Sequence, residues 1–322
     1  MKPDGFAADL YRKPEVLQRL AASLSKANPW EKVVPPGTDR VVLLGMGSSA
    51  YAGGVAAARM RATGLIATSE LASAQHLPRW GERTLIVATS ASGGSAETLD
   101  ALGRLPDGVH TVALTNTAGS AITARCDAVV NLAAEPEVGG VACRSYQHTL
   151  AMLLALECHL TGVDTDALAH AVALSADASA YLLDTESDWR LEVSEPLLGP
   201  SGIYLAAPAE RFCSAQQGAL MLREGPRVPA VGCETGDWSH VDVYLTKTVD
   251  YRLLVFAGSA WEAQLAEWTT QRGSTVVGVG GVVPGTQYNL RYPGDGDETV
   301  RLLTEVLVPE LIAARAWQAQ RM

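Results

Sequence analysis

Lysine is scarce in this 322-residue chain: of 25 basic residues only Lys2, Lys13, Lys26, Lys32 and Lys247 are lysines, and none follows Lys247. Chemistry that needs a lysine amine, a Schiff base above all, therefore has few candidates. Cysteine is thin too. Cys126, Cys143, Cys158, Cys213 and Cys233 are odd in number, far apart and never in CxxC spacing. That pattern excludes a disulfide framework and a structural zinc site, and suits reduced thiols packed as small apolar groups. No run of about 18 uncharged apolar residues occurs, and the start MKPDGFAADLYRKPEV interleaves charges with apolar residues. Neither a membrane span nor a signal peptide is expected, and the protein is expected to be cytoplasmic. Net positive charge is missing as well: at −10 the chain has no global field to gather nucleic acid or an anionic membrane. GxSxG fails at Gly47-Ser48-Ser49-Ala50-Tyr51 and HExxH is absent, which leaves serine-hydrolase and zinc-peptidase readings unsupported.

What is present is apolar material, 48% of residues against 19% charged, enough for one large body or two domains of about 150 residues each. After a helical stretch to about Ala27 and a Pro-containing linker around 34–37, short β-branched runs alternate with Ala-rich helical segments. The pattern predicts strands over 40–44, 65–68, 84–89, 109–114 and 128–131, with helices starting near Ser48, Leu71, Ser95 and Gly119. Alternation of this kind with apolar strands implies a parallel sheet covered on both faces. Two long helices are expected over 146–160 and 165–183. His148 and His159 lie on the apolar face of the first and read as structural.

The rhythm then restarts, with strands expected over 202–207, 227–233, 251–258 and 274–280 and helices over 209–223, 262–271 and 298–320. An internal repeat follows. The expected fold is α/β, two tandem halves each a doubly wound parallel sheet in a flavodoxin-like three-layer α/β/α arrangement. The expected boundaries are a helical segment over 1–36, a first domain over 37–165, a connecting helix over 166–190, and a second domain with its terminal helix over 191–322.

The first strand runs into Gly45-Met46-Gly47-Ser48-Ser49-Ala50 and then a helix. Glycines let the backbone turn tightly and approach a ligand, while amides at the helix start and two hydroxyls can face an anion. Read as GxGxxA with Glu70 after the next strand, the same loop fits a dinucleotide fingerprint, and it also suits a tight turn with no ligand. The third strand runs into a second hydroxyl-rich loop, Ser90-Ala91-Ser92-Gly93-Gly94-Ser95, which a dinucleotide site does not require. In a doubly wound sheet, loops after strands one and three can converge on one anion, with Ser48, Ser49, Ser90, Ser92 and Ser95 as donors. A phosphate held this way needs no lysine or arginine. The matching position in the second half, Phe256-Ala257-Gly258-Ser259-Ala260-Trp261, keeps a single serine, so only the first half is expected to bind phosphate.

These motifs resemble the SIS (sugar isomerase) family, and more closely its double-domain members similar to the isomerase half of glucosamine-6-phosphate synthase. The resemblance covers nearly the whole chain beyond residue 40. It rests on GMGSS (45–49), SASGGSAETLDAL (90–102), EVGGVAC (137–143), QQGALMLREGP (216–226) and GDWSH (236–240), in the family's order and spacing. It implies that Gly47, Ser48, Ser49, Ser90, Ser92, Gly93 and Ser95 hold the phosphate of a small-molecule sugar phosphate. It further implies that Glu224 moves a proton between C1 and C2, and that His240 opens the sugar ring at the active site of a neighbouring subunit in a homodimer. No metal or organic cofactor is implied. From the residues alone, Glu224 precedes Gly225-Pro226 at a helix end, where the dipole disfavours an acid, and His240 follows a Gly-Asp turn on a loop. Arg144, in the segment after GVA, is open to a sugar or phosphate contact or to a salt bridge at a surface or interface.

Departures from the family bear on the reaction. Met221 stands where the synthase has a lysine, the C-terminal tail Ala313 to Met322 has no lysine, and Ala91 replaces a glutamine of the phosphate loop. The resemblance implies aldose–ketose isomerisation; deamination of an amino-sugar 6-phosphate or deglycation of an Amadori-product 6-phosphate is the leading alternative, since both use a similar Glu and His pair. A phosphosugar sensor is a second class, against which stand Glu224 itself and the roughly 40 residues before the first strand, too few for a helix-turn-helix domain and linker. A dinucleotide-dependent oxidoreductase is third.

Overall fold

The computed structural model describes residues 1–78 and 81–320; Arg321 and Met322, the end of the lysine-free tail, lie outside the described residues. The first half contains α1 (Pro3–Tyr11), α2 (Lys13–Leu24), β1 (Arg40–Gly45), α3 (Ser48–Ala62), β2 (Ile66–Leu71), β3 (Thr84–Thr89), α4 (Ala96–Gly103), β4 (His110–Thr115) and β5 (Ala128–Asn131). Three helices follow: α5 (Arg144–Thr161), α6 (Asp166–Asp184) and α7 (Glu186–Leu197). The second half contains β6 (Ile203–Ala207), α8 (Phe212–Glu224), β7 (Ala230–Glu234), β8 (Arg252–Phe256), α9 (Glu262–Gln271), β9 (Thr275–Val279), β10 (Tyr288–Leu290), α10 (Glu298–Thr304) and α11 (Leu307–Ala319).

Packing divides the chain into two compact units, one of Val16–Glu137 with Ala142–Val172, the other of Met1–Glu15, Val138–Val141 and Ala173–Met322. Each holds one five-stranded sheet whose strand pairs are parallel. The orders are β2-β1-β3-β4-β5 and β7-β6-β8-β9-β10. Numbered from its own first strand, each sheet runs 2-1-3-4-5, so chain direction across the sheet reverses between its first and third strands. The β1 and β3 runs VVLLG and TLIVAT are buried throughout, as strands covered on both faces must be. Helix α3 packs on β1, β2 and α5, and α8 packs on β6, β7 and α11.

The first fifteen residues belong to the unit of the second sheet. Helix α1 packs on α11, with the Phe6 and Trp317 rings 6.2 Å apart between centroids. Lys13, at the start of α2, is wholly buried in an ion pair with Glu310 of α11. One of the five lysines is thereby committed to packing. The cysteines are free thiols, and burial pushes Cys126 up to about 11 and Cys233 up to about 12.

Four expectations need correction. No helix starts at Leu71: β2 extends to that residue, and the Arg104 guanidinium takes the carbonyls of Ala72, Ala74 and Gln75, which helical hydrogen bonds would have used. No helix starts at Gly119 either. Ser120 and Thr123 hydroxyls donate back to the carbonyls of Thr117 and Ser120, holding the segment in successive turns. The stretch expected as one terminal helix over 298–320 breaks between Thr304 and Leu307, because Pro309 has no amide for the residue 305 carbonyl and is tolerated only in a first turn. The short strand β10 was not expected; three residues give too little pattern to read.

Candidate functional site

The site begins at the switch point of the first sheet. Leu44 of β1 lies opposite Ala88 of β3, so both strands end at the same edge and their loops leave side by side. Gly47 caps α3 with φ +51, a left-handed conformation that glycine adopts without strain. Ser48 then opens the helix, where first-turn amides lack helical acceptors. The Ser48 and Ser49 side chains are half-buried and, among the described residues, their hydroxyls have no hydrogen-bond partner.

The loop after β3 is more tightly built. Ser90 is 6% exposed and its Oγ accepts the Ser95 amide at 3.4 Å. Exposed Ser92 accepts the Gly94 amide through Oγ, also at 3.4 Å. Ser95 is the N-cap of α4: its Oγ accepts the Thr98 amide at 3.3 Å and donates to Glu97 Oε2 at 2.9 Å. Hydrogen bonds from its own amide and from Ser95 hold the Glu97 carboxyl below the usual range. Gly93 has φ +68, and a Cβ there would sit 1.9 Å from Ser120 Oγ. Nothing but glycine fits.

A third loop braces the second, and the sequence reading missed it. Thr115 Oγ1, Thr117 Oγ1 and the Asn116 amide all donate to the Ala91 carbonyl, at 3.3, 3.2 and 3.1 Å. The signal that could have found it is Thr-Asn-Thr directly after the fourth strand. These donors fix the backbone on which Ser90 and Ser92 stand.

EVGGVAC serves a helix start. Glu137 Oε1 accepts the amides of Cys143, Arg144 and Ser145 at 2.7, 2.7 and 3.1 Å, and Oε2 accepts the Ser145 hydroxyl at 2.6 Å. One carboxylate thus satisfies three first-turn donors of α5 and complements its dipole. Arg144 is 1% exposed, so it is no surface residue; it donates to the Pro136 carbonyl at 2.7 Å and lies 3.9 Å from Glu135. His148 is buried with Nδ1 2.7 Å from the Leu132 carbonyl, a structural histidine.

In the other unit, Glu224 is the last residue of α8 and is half-buried. The chain then reverses tightly: Arg227 has φ +61 and its guanidinium donates to the Glu224 carbonyl. His240 is exposed on a loop after a 3-10 turn, Asp237–Ser239, its amide donating to the Asp237 carbonyl at 2.8 Å. It lines a concavity of about 370 Å³ together with Glu234, Asp237, Ser239, Trp261 and Gln264. Glu224 does not line that concavity.

The switch point of the second sheet, between β6 and β8, is filled from within. Glu262 Oε1 accepts the amides of Gly258 and Ser259, the second at 2.9 Å. Arg211, 1% exposed, donates to the Ala257 carbonyl, to Glu298 at 2.8 Å and to Glu305 at 3.1 Å. Burial pushes the Glu305 carboxyl up to about 7 against the opposing pull of Arg211. Carboxylates thus occupy the donors that face the crevice here. Among the described residues no group of three or more His, Cys, Asp or Glu could hold a metal, and no helix is long and apolar enough to cross a membrane.

Comparison with known proteins agrees with this geometry. Residues 37–157 match the family model of the SIS domain. The glutamine–fructose-6-phosphate aminotransferase (isomerizing) of Pyrobaculum aerophilum is 27% identical over 294 residues, 86% of this chain and 48% of that protein. The chain spans about half the length, or less, of the curated relatives it matches. Among solved structures, the C-terminal domain of glucosamine-fructose-6-phosphate aminotransferase from Francisella tularensis aligns with TM-score 0.79 at 18% identity, covering 98% of this chain and 96% of that one. Glucosamine-6-phosphate deaminase from Thermotoga maritima aligns with TM-score 0.76 at 16% identity, covering 98% and 95%. These structural likenesses establish a shared fold: two parallel five-stranded sheets flanked by helices.

Proposed function

We propose that this chain, with its SIS match over residues 37–157, is a cytoplasmic phosphosugar enzyme of isomerase type, interconverting aldose and ketose forms of a sugar phosphate or amino-sugar phosphate. The observation that carries the reading is the pair of adjoining loops at the β1/β3 edge, with two helix starts and five serines. Amide dipoles and hydroxyls there suit a dianionic phosphate. By its resemblance, Glu224 removes the C2 hydrogen of the open aldose as a proton. The released electron pair forms the C1=C2 bond of an enediol as O1 gains a proton, and returning the proton to C1 while O2 loses its own leaves the ketose. His240 protonates the ring oxygen as the anomeric hydroxyl gives up its proton, and the ring opens. The second half is read as a second SIS domain, on the strength of its matching strand order, and the active enzyme as a homodimer. Val241, Tyr244 and Trp261, large, exposed and apolar, flank His240 where a second subunit would lie.

A specific observation favours the second reading, deamination or deglycation. Glu234 and Asp237 line the concavity beside His240, and with Asp242 they raise the thiol of nearby Cys233 further beyond what burial alone does. A negative field there suits a substrate carrying a protonated amine. The same enolisation then gives an enolamine; its proton returns to the neighbouring carbon to leave an imine, water adds to the imine carbon, and the amine leaves as the carbonyl forms.

Proton NMR in D2O tests both, with hexose, hexosamine and Amadori 6-phosphates and a Glu224→Gln variant alongside. Deuterium at C1 or C2 with wild type but not with the variant is the expected result, and the accumulating product separates isomerase from deaminase or deglycase. Absence of exchange across the panel, with sugar phosphates still raising the melting temperature, would replace the enzyme by a sensor.

A further inference from the structure

Resting on the reading of His240 as the ring-opening group, we propose that the Tyr251 hydroxyl is a positioning group that pins the His240 loop from both sides. Among the described residues the His240 imidazole has no hydrogen-bond partner of its own, so its place is set by the backbone that carries it. That backbone is anchored on either side. Two residues before His240, Trp238 is fully buried and its Nε1 donates to Tyr251 Oη at 2.9 Å. Two residues after it, Asp242 is 6% exposed and its Oδ2 accepts from Tyr251 Oη at 3.2 Å. An indole N–H can only donate and a carboxylate can only accept, so a single atom can join them only if it does both, as a phenol oxygen does.

The hub itself is fixed. Tyr251 is 2% exposed, directly precedes β8, and stacks on Tyr204 of β6 with centroids 4.1 Å apart and planes 21° apart. The far ends of the loop are held separately. The Asp237 amide donates to Glu234 Oε2 at 2.8 Å, and Arg272 donates to the Val243 carbonyl and to Thr246 Oγ1, both at 2.7 Å. Removing the phenol oxygen therefore frees the middle of the loop, where His240 sits, and leaves its ends tied.

The test uses Tyr251→Phe in the full chain, with His240→Asn as reference. Hydrogen exchange over residues 236–247 is expected to quicken about tenfold or more while β8 keeps its protection. Exchange unchanged from wild type would overturn the proposal whatever the activity. The second readout compares fructose 6-phosphate with its 5-deoxy analogue, which lacks the hydroxyl needed to close a furanose ring and so enters already open. For Tyr251→Phe, deuterium exchange at C1 of fructose 6-phosphate is expected to slow about 10²-fold, the scale of an ångström-level misplacement, with KM nearly kept. The open analogue should be turned over at nearly the wild-type rate. Equal loss on both sugars would mean that Tyr251 merely supports the fold, and would refute the proposal. Asp242→Asn, which keeps an acceptor for the hydroxyl, should fall between wild type and Tyr251→Phe in loop exchange. If His240→Asn slows both sugars alike, the ring-opening role of His240 fails, and loop exchange still decides the role of Tyr251.

Discussion

Replacing Gly93 by alanine puts one methyl group at the tightest point of the proposed phosphate loop. Its Cβ would meet Ser120 Oγ at 1.9 Å and Ser120 Cβ at 2.4 Å, whereas ordinary contact begins at 3.4 Å. The loop or its neighbour must then move by more than an ångström. The left-handed backbone at φ +68 adds about 1–2 kcal/mol for any residue with a Cβ, and overpacking adds about 1–3 kcal/mol. Urea denaturation should therefore show Gly93→Ala destabilised by about 2–5 kcal/mol. Displacing Ser90 and Ser92 should also abolish the stabilisation that sugar phosphates give in thermal melts. Ser120→Ala would not relieve the clash, because its Cβ is itself too close, but Ser120→Gly should. The double variant Gly93→Ala/Ser120→Gly should recover the overpacking share and keep the backbone share. A Gly93→Ala protein with wild-type urea midpoint and wild-type response to sugar phosphate would refute the account of this loop.

Two further outcomes follow from carboxylates, one half-buried and one fully buried. Glu137→Ala leaves three first-turn amides of α5 without their acceptor, and should lower stability by about 1–2 kcal/mol, seen as an earlier urea midpoint, with Glu137→Gln recovering part of it. Glu305 is held near 7 by burial, above its unfolded value of 4.5, so the folded state binds its proton more tightly. Its contribution is fully present below about 4.5 and is lost as pH rises through about 7, so the urea midpoint should decline across that window in wild type and flatten in Glu305→Gln. A wild-type midpoint that rises between those values would contradict the burial of that carboxyl.

The linear pattern carried the strands furthest. The apolar runs of β1 and β3 can be buried on both faces and nowhere else, so 84–89 is read to the residue and 40–44 falls one short of Gly45. Segments failed where a side chain took the backbone's hydrogen bonds: Arg104 on the carbonyls after Leu71, and the Ser120 and Thr123 hydroxyls after Gly119. No local pattern announces such competition. The serines and Gly93 were legible because glycine and hydroxyl residues at a strand end have few other uses. The bracing of Ala91 by Thr115, Asn116 and Thr117 was not, because it depends on β3 and β4 lying side by side.

By itself, then, the sequence determined the poverty in lysine, a property of the whole composition, and the alternation of strands and helices and the serine-lined turns, which are properties of residues within about a dozen positions of one another. The tertiary structure alone decided that Thr115, Asn116 and Thr117 brace the Ala91 carbonyl, that Arg211 meets Glu298 and Glu305 at the second crevice, and that one phenol oxygen joins Trp238 to Asp242. Each of these needs groups from separate elements to meet at hydrogen-bond distance, and only the packed sheets and helices bring them there.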